Sequence, residues 1–109
     1  MTTLSTHVLD AGRGVPAEGL DVRLAGHLVA GDGTLATSRT DADGRVRFDV
    51  ELQSGPHLLT FETGAWFDAQ GRDTFFSLVN VAFEVDAEEE HHHVALLLSP
   101  YSYTTYKGS

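Results

Sequence analysis

The sequence predicts an all-β fold, an antiparallel sandwich of seven or eight short strands. Two observations carry that expectation. Apolar and polar residues alternate with a period of two, most strictly in Arg45-Val46-Arg47-Phe48-Asp49-Val50 and in Val79-Asn80-Val81-Ala82-Phe83-Glu84-Val85. Clusters of Gly, Asp and Pro cut the chain into short pieces between these runs.

In chain order, Thr6-His7-Val8-Leu9-Asp10 reads as a short strand closed by Ala11-Gly12-Arg13-Gly14 and Pro16. Asp21 to Val29 alternates, with Val22, Leu24 and Leu28 on one parity and Arg23 and His27 on the other, before a turn at Gly31-Asp32-Gly33. Asp41-Ala42-Asp43-Gly44 is a second turn, and it launches the strand that starts at Arg45. On that strand Val46, Phe48 and Val50 share one face and Arg45, Arg47 and Asp49 the other. Gly55-Pro56 opens His57 to Glu62, and Gly64 to Asp73 has no strand period, so one or two helical turns are expected there. Val79 to Val85 is followed by a solvated charge run, Glu88-Glu89-Glu90. The strand His91 to Ser99 then turns at Pro100 into a last strand rich in Tyr, Thr and Ser, ending Tyr106-Lys107-Gly108-Ser109. Termini are usually frayed and compositionally dull, so a patterned one implies a role.

Composition narrows the function. At 109 residues the chain is expected to be one domain, 1–109, with a core of its own. There is no cysteine, which removes disulfides and thiolate chemistry. A formal charge of −9 argues against nucleic acid, whose binding needs clustered Lys and Arg. No apolar run reaches membrane-spanning length, and Met1-Thr2-Thr3-Leu4-Ser5 lacks the pattern of a signal peptide, so a cytoplasmic location is expected.

The histidines hold the candidate chemistry. Alternation puts His91, His93, Ala95 and Leu97 on one face of their strand and His92, Val94, Leu96 and Leu98 on the other. At most His91 and His93 therefore serve one site. The plain alternative is a solvated strand end beside the glutamates. A zinc site is a further reading, and it requires His7, His91 and His93 to converge from two strands, since no local metal motif is present. Taken singly, His7 in mid-strand and Arg45 at a strand start are ordinary residues.

Together these residues resemble the transthyretin-like 5-hydroxyisourate hydrolases. Leu4-Ser5-Thr6-His7-Val8-Leu9-Asp10 with Gly14-Val15-Pro16-Ala17 is similar to the family's opening. Thr40-Asp41-Ala42-Asp43-Gly44-Arg45 matches in the middle, and His91 to Ser109 at the end. The most specific element is the closing Tyr106-Lys107-Gly108-Ser109, where the hydrolases typically have Tyr-Arg-Gly-Ser. Transthyretin proper shares the segment matched by Ser99 to Tyr103 but lacks the histidines and this ending.

The resemblance implies a transthyretin-like (prealbumin-like) antiparallel β-sandwich of two four-stranded sheets with one short helix. It implies a homotetramer, a dimer of dimers, with active sites at the dimer–dimer interface. It implies hydrolysis of 5-hydroxyisourate in urate degradation without a cofactor or metal. By position, His7, Arg45 and His93 are the catalytic residues, with Tyr106, Ser109, Thr104 and Lys107 binding substrate. Which histidine is the base stays open. Three positions depart from the family: Lys107 replaces arginine, while Ala95 and Ser77 replace prolines. Lysine keeps the charge and loses the planar fork, leaving substrate clamp or tail anchor as its role. The competing reading is a small-molecule carrier, whose channel would be apolar at the positions of Arg45 and His93.

Overall fold

The computed structural model describes residues 2–26 and 33–108. Among the described residues nine strands and one helix follow in order: β1 (Thr3–Asp10), β2 (Val15–Pro16), β3 (Asp21–Gly26), β4 (Thr34–Arg39), β5 (Arg45–Phe48), β6 (Gly55–Phe61), α1 (Thr63–Asp68), β7 (Val79–Val85), β8 (His91–Ser99) and β9 (Ser102–Gly108). β3 covers Asp21–Gly26 of the expected run from Asp21 to Val29; the rest of that run and Gly31-Asp32 of the expected turn lie outside the described residues, as does Ser109. Among the described residues no helix is long and apolar enough to cross a membrane.

One sheet runs β4-β3-β6-β7, and the other runs from β1 through β8 to β9, with β5 and the two-residue β2 pairing with β1. β5 pairs with residues Leu4 to His7 of β1, and β2 with Leu9 and Asp10. Along the side of β1 away from β8 they therefore lie end to end and fill one strand position. The expected sandwich of two four-stranded sheets is thus observed, with one difference in direction. β1 and β8 run parallel, in a register that sets Ser5 opposite His93 and His7 opposite Ala95.

Period-two alternation builds the core. Leu4 and Val8 of β1, Val94, Leu96 and Leu98 of β8, and Val46 and Phe48 of β5 point inward from one sheet. Val22, Leu24, Leu59, Phe61, Val79, Val81 and Val85 meet them from the other. The opposite face of β1 carries Thr3, Ser5, His7 and Leu9, all half-buried, as the strict alternation of burial along the strand requires.

α1 is fastened to the end of β1 by a buried ion pair. Arg72 Nη1 lies 2.8 Å from Asp10 Oδ2, with the side chains 15% and 2% exposed. The guanidinium also sits 4.7 Å from the Phe67 ring centre. Burial pushes the Asp10 carboxyl up. The Arg72 hydrogen bond, the Arg13 N–H and both positive charges outweigh it, so its pKa is held below the ordinary 3.8. Breaking the pair leaves a buried carboxylate uncompensated, so Arg72→Ala is expected to cost about 3–5 kcal/mol in urea unfolding. The sign for pH follows from the lowered value. The stabilisation is present above the unfolded carboxylate pKa and is lost as pH falls through the folded one. In Arg72→Ala burial acts with less opposition, and acid unfolding begins at higher pH.

Candidate active site

The turn before Arg45 is wound tightly by one carboxylate. Asp41 Oδ1 accepts the N–H groups of Asp43 and Arg45, each at 2.9 Å, and the Asp41 carbonyl accepts from Gly44. Gly44 has φ +75°, and a Cβ there would collide with the Val8 carbonyl oxygen, so only glycine lets the turn lie against β1. The Gly44 carbonyl in turn accepts from Val8 N–H at 2.8 Å. Arg45 is thereby delivered to the register position opposite His7.

Register then places the outward side chains in two rows across the sheet. Arg45, His7, Ala95 and Tyr106 form one, and Arg47, Ser5, His93 and Gly108 the next. Rows on one face are about 6–7 Å apart along the strand. His7 and His93 are diagonal neighbours, and so are His93 and Tyr106. The small residues Ser5, Ala95 and Gly108 alternate with the large ones, so the register sets His7, His93 and Tyr106 around Ala95. Thr104 stands opposite Leu97 in the following row, on the same face.

The hydrogen bonds fix the histidines. Ser5 Oγ lies 2.6 Å from His93 Nδ1 and 2.8 Å from His91 Nε2. Thr3 Oγ1 lies 2.6 Å from His91 Nδ1. Burial, then the positive charge of Arg45 and the neighbouring His7 and His91, hold His93 below its ordinary 6.5. Arg47 is held by Asp49 at 3.0 Å, whereas the Arg45 guanidinium has no carboxylate within ion-pair distance among the described residues. It is free to meet an anion.

His92 and Lys107 stand on the other side of the sheet. His92 is 5% exposed, and its Nε2 lies 3.2 Å from Asp86 N and 3.4 Å from Glu89 Oε2. Lys107 pairs in register with Val94 and places Nζ 3.3 Å from both Glu89 oxygens. A groove of about 320 Å³ there is lined by residues of β7, β8 and β9, among them His92, Lys107 and Tyr106, and His93 is not part of its wall. Of the expected site residues, His7, Arg45, His93, Thr104 and Tyr106 share one face, Lys107 faces away, and Ser109 lies outside the described residues. Among the described residues no three His, Asp or Glu side chains are grouped to hold a metal ion.

Three residues escaped the sequence reading: Thr3, Ser5 and Gly108. A Cβ on Gly108 would enter the space of the His93 ring, so the strand closes against the imidazole only because this residue has no side chain. The parity that Ser5 shares with His7, and the place of Gly108 in the closing tetrapeptide, were the available signals.

Residues 4–108 match the family model described as HIUase/Transthyretin family. The chain belongs to this family. It is 40% identical to the 5-hydroxyisourate hydrolase of Salmonella typhimurium, over 97% of this chain and 80% of that one. The solved structure of the Klebsiella pneumoniae 5-hydroxyisourate hydrolase superposes with a TM-score of 0.88 at 41% identity, covering 100% and 94% of the two chains. Sea bream transthyretin, solved with thyroxine, superposes with a TM-score of 0.86 at 33% identity, covering 96% and 93%. The HIUase/Transthyretin family thus joins hydrolases and a hormone-binding protein on one fold, and the outward face has to distinguish them.

Proposed function

We propose that this protein hydrolyses 5-hydroxyisourate to 2-oxo-4-hydroxy-4-carboxy-5-ureidoimidazoline, on the face formed by His7, Arg45 and His93. The relatives of about 40% identity support the reaction. The observation that carries the site is the pair of rows that sets an unpaired guanidinium beside two diagonal imidazoles. A carrier of an apolar hormone has no use for that arrangement, which costs desolvation and offers no apolar contact.

Opening a cyclic amide with water needs a base for the water, a cation for the oxyanion and an acid for the leaving nitrogen. His93 is the base. Its lowered pKa keeps the ring neutral and proton-accepting at working pH. The water proton goes to Nε2 of His93, the nitrogen turned away from Ser5, as oxygen adds to the ring carbonyl. Arg45 pairs with the developing oxyanion through parallel donors. His7 delivers a proton to the ring nitrogen as the C–N bond breaks. Tyr106 and Thr104 wall the pocket, and Ser109 keeps the substrate-binding role that the resemblance implies. Lys107 anchors the tail through Glu89, which accounts for a lysine serving where the family's arginine stands. The site lies at the dimer–dimer junction of a homotetramer in the cytoplasm, closed over by a neighbouring subunit.

The test follows the ultraviolet decay of freshly generated 5-hydroxyisourate against its spontaneous rate. A carrier leaves that decay unaccelerated or slows it. The pH profile tests the roles. With the His93 pKa below 6.5, kcat/KM holds as pH falls past 6.5 and drops only through the lowered value. Arg45→Gln removes the guanidinium charge that, after burial, does most to hold the His93 pKa down. The acid limb is then expected to move to higher pH while the plateau falls, and an unmoved limb counts against His93 as the titrating base.

A further inference from the structure

Four hydrogen-bonding groups run in an unbroken line from the edge of the site to its centre: Thr3 Oγ1, the His91 ring, Ser5 Oγ and the His93 ring. Each link is 2.6–2.8 Å. A serine hydroxyl has one proton and two lone pairs, so Ser5 donates to at most one of the two imidazoles. A neutral imidazole has one N–H. Two orderings make Ser5 a donor within the line. In one, His93 Nδ1–H donates to Ser5, Ser5 O–H donates to His91 Nε2, and His91 Nδ1–H donates to Thr3, which leaves the lone pair of His93 on Nε2. In the other every proton is reversed, and His93 carries its proton on Nε2. Between these two orderings the groups switch together; in a third, Ser5 accepts from both rings and carries no proton between them.

We propose that Thr3, His91, Ser5 and His93 form a proton relay that passes the proton taken from the attacking water outward to His91. It rests on the assignment of His93 as the base. The steps balance. A proton arrives on His93 Nε2, the Nδ1 proton passes to Ser5 Oγ, and the Ser5 proton passes to His91 Nε2. Only N–H and O–H bonds change, and the positive charge ends on His91, which releases it through Thr3 or directly to solvent. This leaves the line in the second ordering; the starting state returns when the Nε2 proton of His93 leaves to solvent while a solvent proton enters at His91 Nδ1 and the line shifts back, and His7 recovers its own proton from solvent.

The electrostatics give the relay its direction. The half-buried His93 faces Arg45 and Arg47 of β5, His7 of β1, His91 of its own strand and Tyr106 of β9. An imidazolium held there is repelled by a permanent guanidinium. His91 is exposed, one row further out. Water solvates the charge better at that position, so moving it there lowers the energy of the protonated site.

The experiment measures kcat, KM and the solvent-isotope dependence of kcat in mixtures of light and heavy water, for the intact protein and three variants. The wild type is expected to show a curved dependence, because more than one proton is in flight. Ser5→Ala and His91→Gln are each expected to lower kcat about tenfold or more, to leave KM unchanged and to straighten that dependence. Glutamine fills the position of His91 and forms hydrogen bonds but does not accept a proton at neutral pH. Ser5→Thr, which keeps the hydroxyl, is expected to recover the rate. Wild-type kcat and curvature in His91→Gln overturn the relay, even when Ser5→Ala is slow, because Ser5 then only holds the ring. A straight dependence in the wild type overturns it too. His93→Ala separates the two assignments: full activity in that variant removes His93 as the base, whereas its inactivity beside normal His91→Gln removes the relay alone.

Discussion

Replacing His93 by alanine is expected to lower kcat/KM for 5-hydroxyisourate by about 10²- to 10⁴-fold, the range that one positioned general base supplies. His7→Ala is expected to fall in the same range. Wild-type rates in both variants sink the assignment. Neither change should weaken the fold, because both side chains lie on the outward face and contribute nothing to the core of Leu4, Val8, Val94 and Leu96. The neighbouring His92 supplies the opposite case. It is 5% exposed, it shares the inward face with Val94 and Leu96, and its Nε2 faces the Asp86 N–H. His92→Ala is expected to lower the urea midpoint by creating a cavity and removing the acceptor of the Asp86 N–H, with kcat/KM unchanged. Adjacent residues of one strand thus separate catalysis from stability, and one urea titration beside one decay assay reads both.

Alternation alone made this separation legible in the sequence. A period of two assigns His93 and His92 to opposite faces whatever their neighbours are, and the same rule places Val46 and Phe48 inside and Arg45 outside. The Asp41–Gly44 turn was equally legible, because Asx and glycine chemistry is local. Strand direction was not. Parity is the same in parallel and antiparallel pairs, so the sequence gives no sign that β1 and β8 run in parallel, and only this pairing sets Ser5 opposite His93. β4 escaped for a different reason. As an edge strand its residues Thr34–Arg39 grade from half-buried to exposed without alternating, which leaves no period to find. Lys107 was grouped with Tyr106 and Ser109 through the closing tetrapeptide, although parity alone turns it from its neighbour Tyr106 to the opposite face.

Gly108→Ala is expected to abolish most of the activity while leaving stability the same or higher. Gly108 pairs with His93 across β8 and β9, and a Cβ would occupy space held by the imidazole ring. The ring is the movable partner, since the backbone of β9 is fixed by its ladder with β8 along Ser99 to His93. Displacing it stretches the 2.6 Å bond to Ser5 and tilts Nε2 away from the water it deprotonates. A misplacement of about 1 Å in a catalytic group costs on the order of 10²-fold. Stability moves the other way, because alanine restricts the unfolded chain more than glycine, by about 0.4–1 kcal/mol where the folded backbone accepts it. Gly108 is not among the glycines with positive φ, so its backbone accepts alanine. A loss of kcat/KM with an unchanged or raised urea midpoint therefore identifies Gly108 as the residue that seats His93. Full activity shows that the ring finds a second seating. A lowered midpoint shows instead that the ladder yields before the imidazole does.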